Sequence, residues 1–132
     1  MTTAAPTRLV IVDDNDTYRA GMVRVADAHP GIDLVAEADS GAAALDVIAR
    51  HRPDVALVDL RMPTVDGLEV CRQVPHISPP LSCMVVLLSA VVSSGVHEHA
   101  LESGAAAFLS KDLPRREILG QLLTLAGRAT AA

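Results

Sequence analysis

Aromatic side chains are nearly absent from this sequence, which has one tyrosine, one phenylalanine and no tryptophan among 132 residues. Half of the residues are nevertheless hydrophobic, so the core must be aliphatic. Such cores are typical of parallel sheets covered by helices, whose buried strands are continuous apolar runs. The length is that of one ordinary domain.

Cysteines, basic residues and long apolar segments are also scarce. The two cysteines, Cys71 and Cys83, have no spacing that indicates a zinc site or a disulfide framework, so we expect both to be reduced. The net charge of −5 argues against direct nucleic acid binding. The longest apolar stretch, residues 84–92, is too short to cross a membrane, and residues 1–7 lack a signal-peptide core. We therefore expect a cytoplasmic protein without membrane association.

Apolar runs alternate with helical patterns five times along the chain. The predicted strands are residues 8–13, 32–38, 54–60, 83–89 and 106–110. This alternation predicts an α/β fold with helices on both faces of a parallel sheet. We expect a flavodoxin-like, doubly wound (βα)5 domain with strand order 2-1-3-4-5. Residues 8–127 form the predicted domain, 1–7 a flexible lead, and 128–132 a frayed tail or the start of a linker.

Polar residues stand at the ends of four predicted strands. Asp13 and Asp14 end the first, Asp59 the third and Ser89 the fourth, and Lys111 directly follows the fifth. In this fold, ligands bind outside the carboxyl ends of the strands. An aspartate or serine at one strand end is commonly a turn residue or helix cap. The occurrence of such polar residues at the carboxyl ends of four strands instead predicts that they share one site.

Three neighbouring carboxylates require a cation to balance their charge. Hard oxygen ligands that leave room for water and phosphate favour Mg²⁺. Together with the positive charge of Lys111, this ion would neutralise Asp13, Asp14 and Asp59. The arrangement predicts a site for phosphoryl transfer, in which Asp59 is the nucleophile.

Several motifs of the chain match one known family over nearly its whole length. They are IVDD (11–14), VDLRMPTVDGLEV (58–70), LLSA (87–90) and ESGAAAFLSKD (102–112). On these motifs the chain resembles the receiver domain of bacterial two-component response regulators. The last motif is most similar to regulators that carry a C-terminal helix-turn-helix output domain.

The resemblance implies a role for each residue of the predicted site. Asp59 would accept a phosphoryl group from a sensor histidine kinase. Mg²⁺ would be held by Asp14 and Asp59, by Asp13 largely through water, and by the backbone carbonyl of Arg61. Ser89 would bind the phosphoryl group, Lys111 would pair with the carboxylates and then with this group, and Phe108 would change rotamer as a switch. The resemblance implies that phosphorylation causes a conformational change that controls an output, which is transcription in this subfamily. It implies no turnover of a metabolite.

Alternatives to these assignments exist at several positions. Ser89 is also interpretable as a turn residue and Phe108 as core packing. Arg61 stands where a haloacid-dehalogenase-like phosphatase needs a second aspartate, which argues against that class. A flavodoxin-like flavin protein would have a phosphate loop in place of Asp13 and Asp14. A pseudo-receiver that acts only as an interaction module stays possible.

Three smaller expectations concern the surroundings of the site. Asp16 precedes the first helical pattern, so we predict that it is the N-cap of that helix and lies outside the site. Arg61 and Val91 flank the path of attacking water in the family, and we hypothesise that they set the lifetime of the phosphorylated state. Self-association is predicted through helix 4, strand 5 and helix 5, or through helices 1 and 5.

Overall fold

The structure, a computed structural model, describes residues 5–91 and 93–130, without the side chains of 128–130. The strands are β1 (Thr7–Val12), β2 (Ile32–Ala38), β3 (Val55–Asp59), β4 (Met84–Ser89) and β5 (Ala107–Ser110). The helices are α1 (Asp16–Asp27), α2 (Gly41–His51), α3 (Gly67–Gln73), α4 (Ser94–Glu102) and α5 (Arg115–Thr130). A short 3₁₀ helix, Val74–His76, follows α3. Each predicted strand lies within one residue of its observed bounds.

The five strands form one parallel sheet in the order β2-β1-β3-β4-β5. This confirms the predicted flavodoxin-like topology. The pairing aligns Val12 with Val58 and Ser89 with Ser110, so the carboxyl ends of these strands meet at one edge of the sheet. That edge is where the predicted site residues lie.

The core has two layers because successive side chains of a strand point to opposite faces. On β1, Leu9 and Ile11 pack with α1 and α5, whereas Val10 and Val12 pack with α2, α3 and α4. Both clusters are almost entirely aliphatic, as the composition predicts. Phe108 is the one buried phenylalanine and belongs to the second layer.

Short polar side chains determine where the first four helices begin. The N-caps are Asn15, Ser40, Asp66 and Ser93, and each side-chain oxygen accepts a hydrogen bond from a backbone N–H of the first turn. The prediction that Asp16 caps α1 was therefore wrong. Asn15 has the extended backbone of a cap and its Oδ1 lies 2.9 Å from Tyr18 N. Asp16 is the first helical residue and pairs with Arg19 at 2.9 Å.

The first strand and the last helix each include residues outside the range 8–127. Strand β1 begins at Thr7, and α5 continues to Thr130, past the predicted end at residue 127. Residues 1–4 of the predicted lead and 131–132 of the predicted tail lie outside the described residues. Among the helices of the described segments, none combines the length and the hydropathy needed to cross a membrane.

Candidate functional site

Three carboxylates converge at the carboxyl edge of the sheet. Asp13 and Asp14 follow β1, and Asp59 ends the adjacent strand β3. One carboxylate oxygen from each residue lies within 4.8 Å of the other two. Asp13 and Asp59 are buried, at 2% and 6% exposure, whereas Asp14 is exposed. The cluster is therefore anchored in the protein on one side and open to solvent on the other.

Lys111 supplies the positive charge of this cluster. It follows β5, and its Nζ lies 2.7 Å from Asp13 Oδ2 and 3.3 Å from Asp59 Oδ1. Burial by itself would lower the pKa of Lys111, but contact with Asp13 and the charge of Asp59 outweigh burial and raise it. The ammonium therefore stays charged. It reaches from the end of β5 across β4 to the carboxylates at the ends of β1 and β3.

Asp59 is held in an unfavourable electrostatic environment. Its pKa is raised from 3.8 to about 6, chiefly by burial and then by the charge of Asp13, although Lys111 opposes the rise. A single ammonium does not compensate three carboxylates, so two negative charges stay unbalanced. A divalent cation fits this deficit, and carboxylate oxygens are the ligands that Mg²⁺ and Ca²⁺ prefer.

The orientation of Asp13 is fixed by contacts on its other side. Its Oδ1 accepts a hydrogen bond from Asn15 N at 2.8 Å, and its backbone carbonyl accepts one from Arg19 Nη1 at 2.7 Å. Arg19 is held in turn by Glu37, with Nε 2.8 Å from Oε1. These contacts leave Asp13 Oδ2 directed at Lys111.

Ser89 and Arg61 flank Asp59 from two neighbouring segments. Ser89 ends β4, is 1% exposed, and its Oγ accepts a hydrogen bond from Val91 N at 3.1 Å. The side chain of Arg61 is exposed in the loop that leads from β3 to α3. This loop closes tightly at Gly67, where a Cβ would lie 2.7 Å from the carbonyl oxygen of Asp59.

Phe108 lies apart from the charged cluster, in the core beneath α4. It is 5% exposed, and His97 of α4 contacts it edge-on, with 5.8 Å between ring centroids. Phe108 therefore packs in the core, and its rotamer change as a switch stays a prediction. The edge contact with the exposed His97 also connects it to the surface of α4.

Tyr18 is a neighbour of the site that the sequence patterns did not single out. Its ring centroid lies 4.4 Å from Lys111 Nζ and 4.7 Å from Arg115 Cζ. The spacing of Tyr18, Met22 and Val25 indicates only that these three residues share one face of a helix. The signal was its rarity, because it is the one tyrosine in the chain and stands four residues after Asp14.

Comparisons with known proteins agree with this geometry. Residues 9–123 match the family model of the response regulator receiver domain. NarL, a transcriptional regulatory protein of Mycobacterium tuberculosis, is 44% identical over 126 residues, which are 95% of this chain and 57% of NarL. The DNA-binding transcriptional activator DevR/DosR of the same organism is 34% identical over 111 residues, which are 84% of this chain and 50% of that protein. This chain thus spans about half the length of these relatives.

A solved structure shows the same fold. The signal receiver domain of NarL from Mycobacterium tuberculosis superposes with a TM-score of 0.87 at 41% sequence identity, covering 93% of this chain and 98% of that one. The likeness therefore extends over the whole sheet and its helices.

Proposed function

The chain belongs to the response regulator receiver domain family, and from this premise we propose that it is a switch operated by phosphorylation of Asp59. The observation that carries the proposal is the buried Asp59 carboxylate beside Asp13 and Lys111. A buried anion with a neighbouring cation is suited to attack phosphorus and to stabilise the product.

Asp59 is the nucleophile in this proposal. One of its carboxylate oxygens attacks the phosphorus of a phosphohistidine on a sensor histidine kinase and forms a P–O bond. The P–N bond breaks, its electron pair stays on the imidazole nitrogen, and that nitrogen takes up a proton. Lys111 Nζ, already 3.3 Å from Asp59 Oδ1, stabilises the charge on the transferred phosphoryl oxygens. The same centre later releases the group to water, so the domain catalyses only its own modification.

Asp13, Asp14 and Asp59, with the backbone carbonyl of Arg61, would hold Mg²⁺. The three carboxylates fit this ion in ligand type and in their uncompensated charge. When bound, the ion supplies positive charge beside the developing charge of the phosphoryl group. We assign to Asp13 a contact with the ion largely through water, since its Oδ1 and Oδ2 are already engaged by Asn15 and Lys111.

Ser89 and Phe108 transmit the change in the proposed switch. The Ser89 hydroxyl bonds the phosphoryl group and thereby shifts the segment that leads from β4 to α4. Its present bond to Val91 N ties it to that segment. Phe108 changes rotamer as the segment moves, and its contact with His97 carries the change to α4.

We propose that the switch controls transcription, the activity named for the NarL and DevR/DosR relatives. DNA binding is assigned to an output domain and not to this domain, because its net charge is −5. The proposal places the chain in the cytoplasm, together with the kinase domain that phosphorylates it.

Phosphorylation tests the proposal directly. The protein is incubated with Mg²⁺ and acetyl phosphate, and its mass is followed. We expect the gain of one phosphoryl group that is stable in acid and labile in base. Asp59→Asn should abolish the gain, and Asp46→Asn, on the exposed face of α2, should leave it unchanged. Absence of the gain in the native protein, or its persistence in Asp59→Asn, would show that the proposal is wrong and favour an unphosphorylated interaction module.

Self-association is the second part of the proposal. A groove between α1 and α5 is lined by Val25 and Leu119, and one beside β5 and α5 by Ala107 and Leu125. Leu101 of α4 is a large hydrophobic residue with 45% exposure. We expect phosphorylation to increase the dimer fraction in sedimentation velocity. A strict monomer with and without phosphorylation contradicts the expectation.

A further inference from the structure

Lys111 contacts an aromatic ring as well as the two carboxylates. Its Nζ lies 2.7 Å from Asp13 Oδ2, 3.3 Å from Asp59 Oδ1 and 4.4 Å from the centroid of the Tyr18 ring. The face of an aromatic ring attracts a cation within about 6 Å, most strongly where both are shielded from water. Lys111 is 16% exposed in its side chain, so the ring completes a largely enclosed environment.

A second cation holds the ring from α5. Arg115 Cζ lies 4.7 Å from the Tyr18 centroid. Its guanidinium fits closely against α1 because residue 21 is glycine, where a Cβ would lie 2.8 Å from Arg115 Nη2. Tyr18, Lys111 and Arg115 therefore form one contact group, which we call the ring cluster. It joins the first turn of α1 to both sides of the β5–α5 loop.

The hydroxyl of Tyr18 does not account for the position of the ring. Its oxygen is buried and has no hydrogen-bond partner within the described part of the chain. A buried hydroxyl without a partner costs free energy. The contacts that hold Tyr18 are thus those of its ring, and phenylalanine should replace it without loss.

We propose that Tyr18 is a positioning residue for Lys111, keeping Nζ between Asp13 and Asp59 during phosphoryl transfer. The inference rests on the proposed function of the site. Without the ring, the flexible lysine side chain has one contact fewer, and its ammonium samples positions away from Asp59. The effect on the reaction is then transmitted entirely through Lys111.

Substitutions of Tyr18 separate the ring from the hydroxyl. The initial rate of modification by acetyl phosphate with Mg²⁺ should fall about three- to tenfold in Tyr18→Leu and stay within about twofold of native in Tyr18→Phe. Val23→Ala is the matched control, because Val23 packs in the same layer from α1 but belongs neither to the ring cluster nor to the proposed self-association grooves. Its rate should stay native. Far-UV circular dichroism checks that each variant is folded.

The same substitution in a Lys111→Met background tests the route of the effect. If Tyr18 acts through Lys111, Tyr18→Leu should change the remaining rate of Lys111→Met by less than about twofold, since the two losses are not additive. An equal drop in both backgrounds, or a native rate in Tyr18→Leu, overturns the proposal. So does Tyr18→Phe behaving like Tyr18→Leu.

A spectroscopic measurement keeps this inference separate from the proposed function. The ring should displace the NMR signals of the Lys111 side-chain methylenes upfield in native protein and in Tyr18→Phe. Tyr18→Leu should return them to ordinary values. This result requires no phosphorylation, so it supports positioning of Lys111 even if Asp59 is never modified. Unchanged Lys111 signals in Tyr18→Leu contradict the inference even if Asp59 is phosphorylated.

Discussion

Replacing the proposed phosphoacceptor should stabilise the metal-free protein. Asp59 is 6% exposed, and burial together with Asp13 raises its pKa from 3.8 to about 6. Asp59→Asn removes the charge that the folded site disfavours and keeps nearly the same shape. We therefore expect the variant to unfold at a higher urea concentration when divalent cations are removed by EDTA.

The size of the effect follows from the pKa of Asp59. A rise from 3.8 to about 6 corresponds to about 3 kcal/mol at neutral pH. This figure already includes the attraction of Lys111. Water and side-chain adjustments relieve part of such repulsion. We expect the free energy of unfolding of Asp59→Asn to exceed that of native protein by about 1–2 kcal/mol.

The pH dependence identifies the cause of the difference. Because the pKa of Asp59 is higher in the folded than in the unfolded protein, the folded protein binds an additional proton between about pH 4 and pH 6. The penalty on native protein is therefore complete above about pH 6 and disappears as pH falls through this window. The advantage of Asp59→Asn should be largest at pH 7 and absent at pH 4.

Urea unfolding followed by far-UV circular dichroism measures these differences, since the chain has no tryptophan. Asp46→Asn is the control, because Asp46 is exposed on α2, where its side chain forms a surface ion pair with Arg50 at 3.1 Å. Its effect should be within about 0.5 kcal/mol. Added Mg²⁺ should stabilise native protein more than Asp59→Asn. The reasoning is refuted if Asp59→Asn is no more stable than native protein at pH 7 in EDTA, or if its advantage persists at pH 4.

Three further variants test packing at two glycines and the access of water to the site. Gly41→Ala should lower the free energy of unfolding by about 1–3 kcal/mol, because a Cβ there would overlap the backbone carbonyl of Val65. Gly120→Ala, in α5 with no atom near its added Cβ, should instead raise it by about 0.5–1 kcal/mol, and equal effects would contradict the packing argument. Arg61→Asn combined with Val91→Ser should speed dephosphorylation about three- to tenfold by opening the approach for water, measured as loss of the phosphoryl mass after acetyl phosphate is removed. An unchanged rate would show that these side chains do not set the phosphoryl lifetime.

Strand positions were predictable because β1, β3, β4 and β5 each contain an apolar run that stops at a charged or turn-forming residue. Asp59 is the clearest example, since it is the one charged residue that interrupts the run from Val55 to Leu60. The cap of α1 was not predictable to the residue. Asn15 and Asp16 are both good N-caps, and the bond from Asn15 N to Asp13 Oδ1 favours the turn that makes Asn15 the cap.

The contact between Tyr18 and Lys111 was not predictable either. The two residues are 93 positions apart in the sequence. They meet because β1 and β5 end at the same edge and because α1 and α5 cover the same face of the sheet. Helical periodicity gives the face on which Tyr18 lies, but it does not give the partner across that face.

The sequence by itself determined the class of fold, the order of its elements and the residue types at the strand ends, because hydrophobic periodicity and strand termination are local properties. It also determined the family, through motifs that lie at those ends. Only the tertiary structure decided how far the carboxylates lie from Lys111, how strongly burial raises the pKa of Asp59, and which ring contacts the ammonium. These quantities depend on distances between segments remote in the chain and on the exclusion of water around them, and both arise only when the strands and helices pack together.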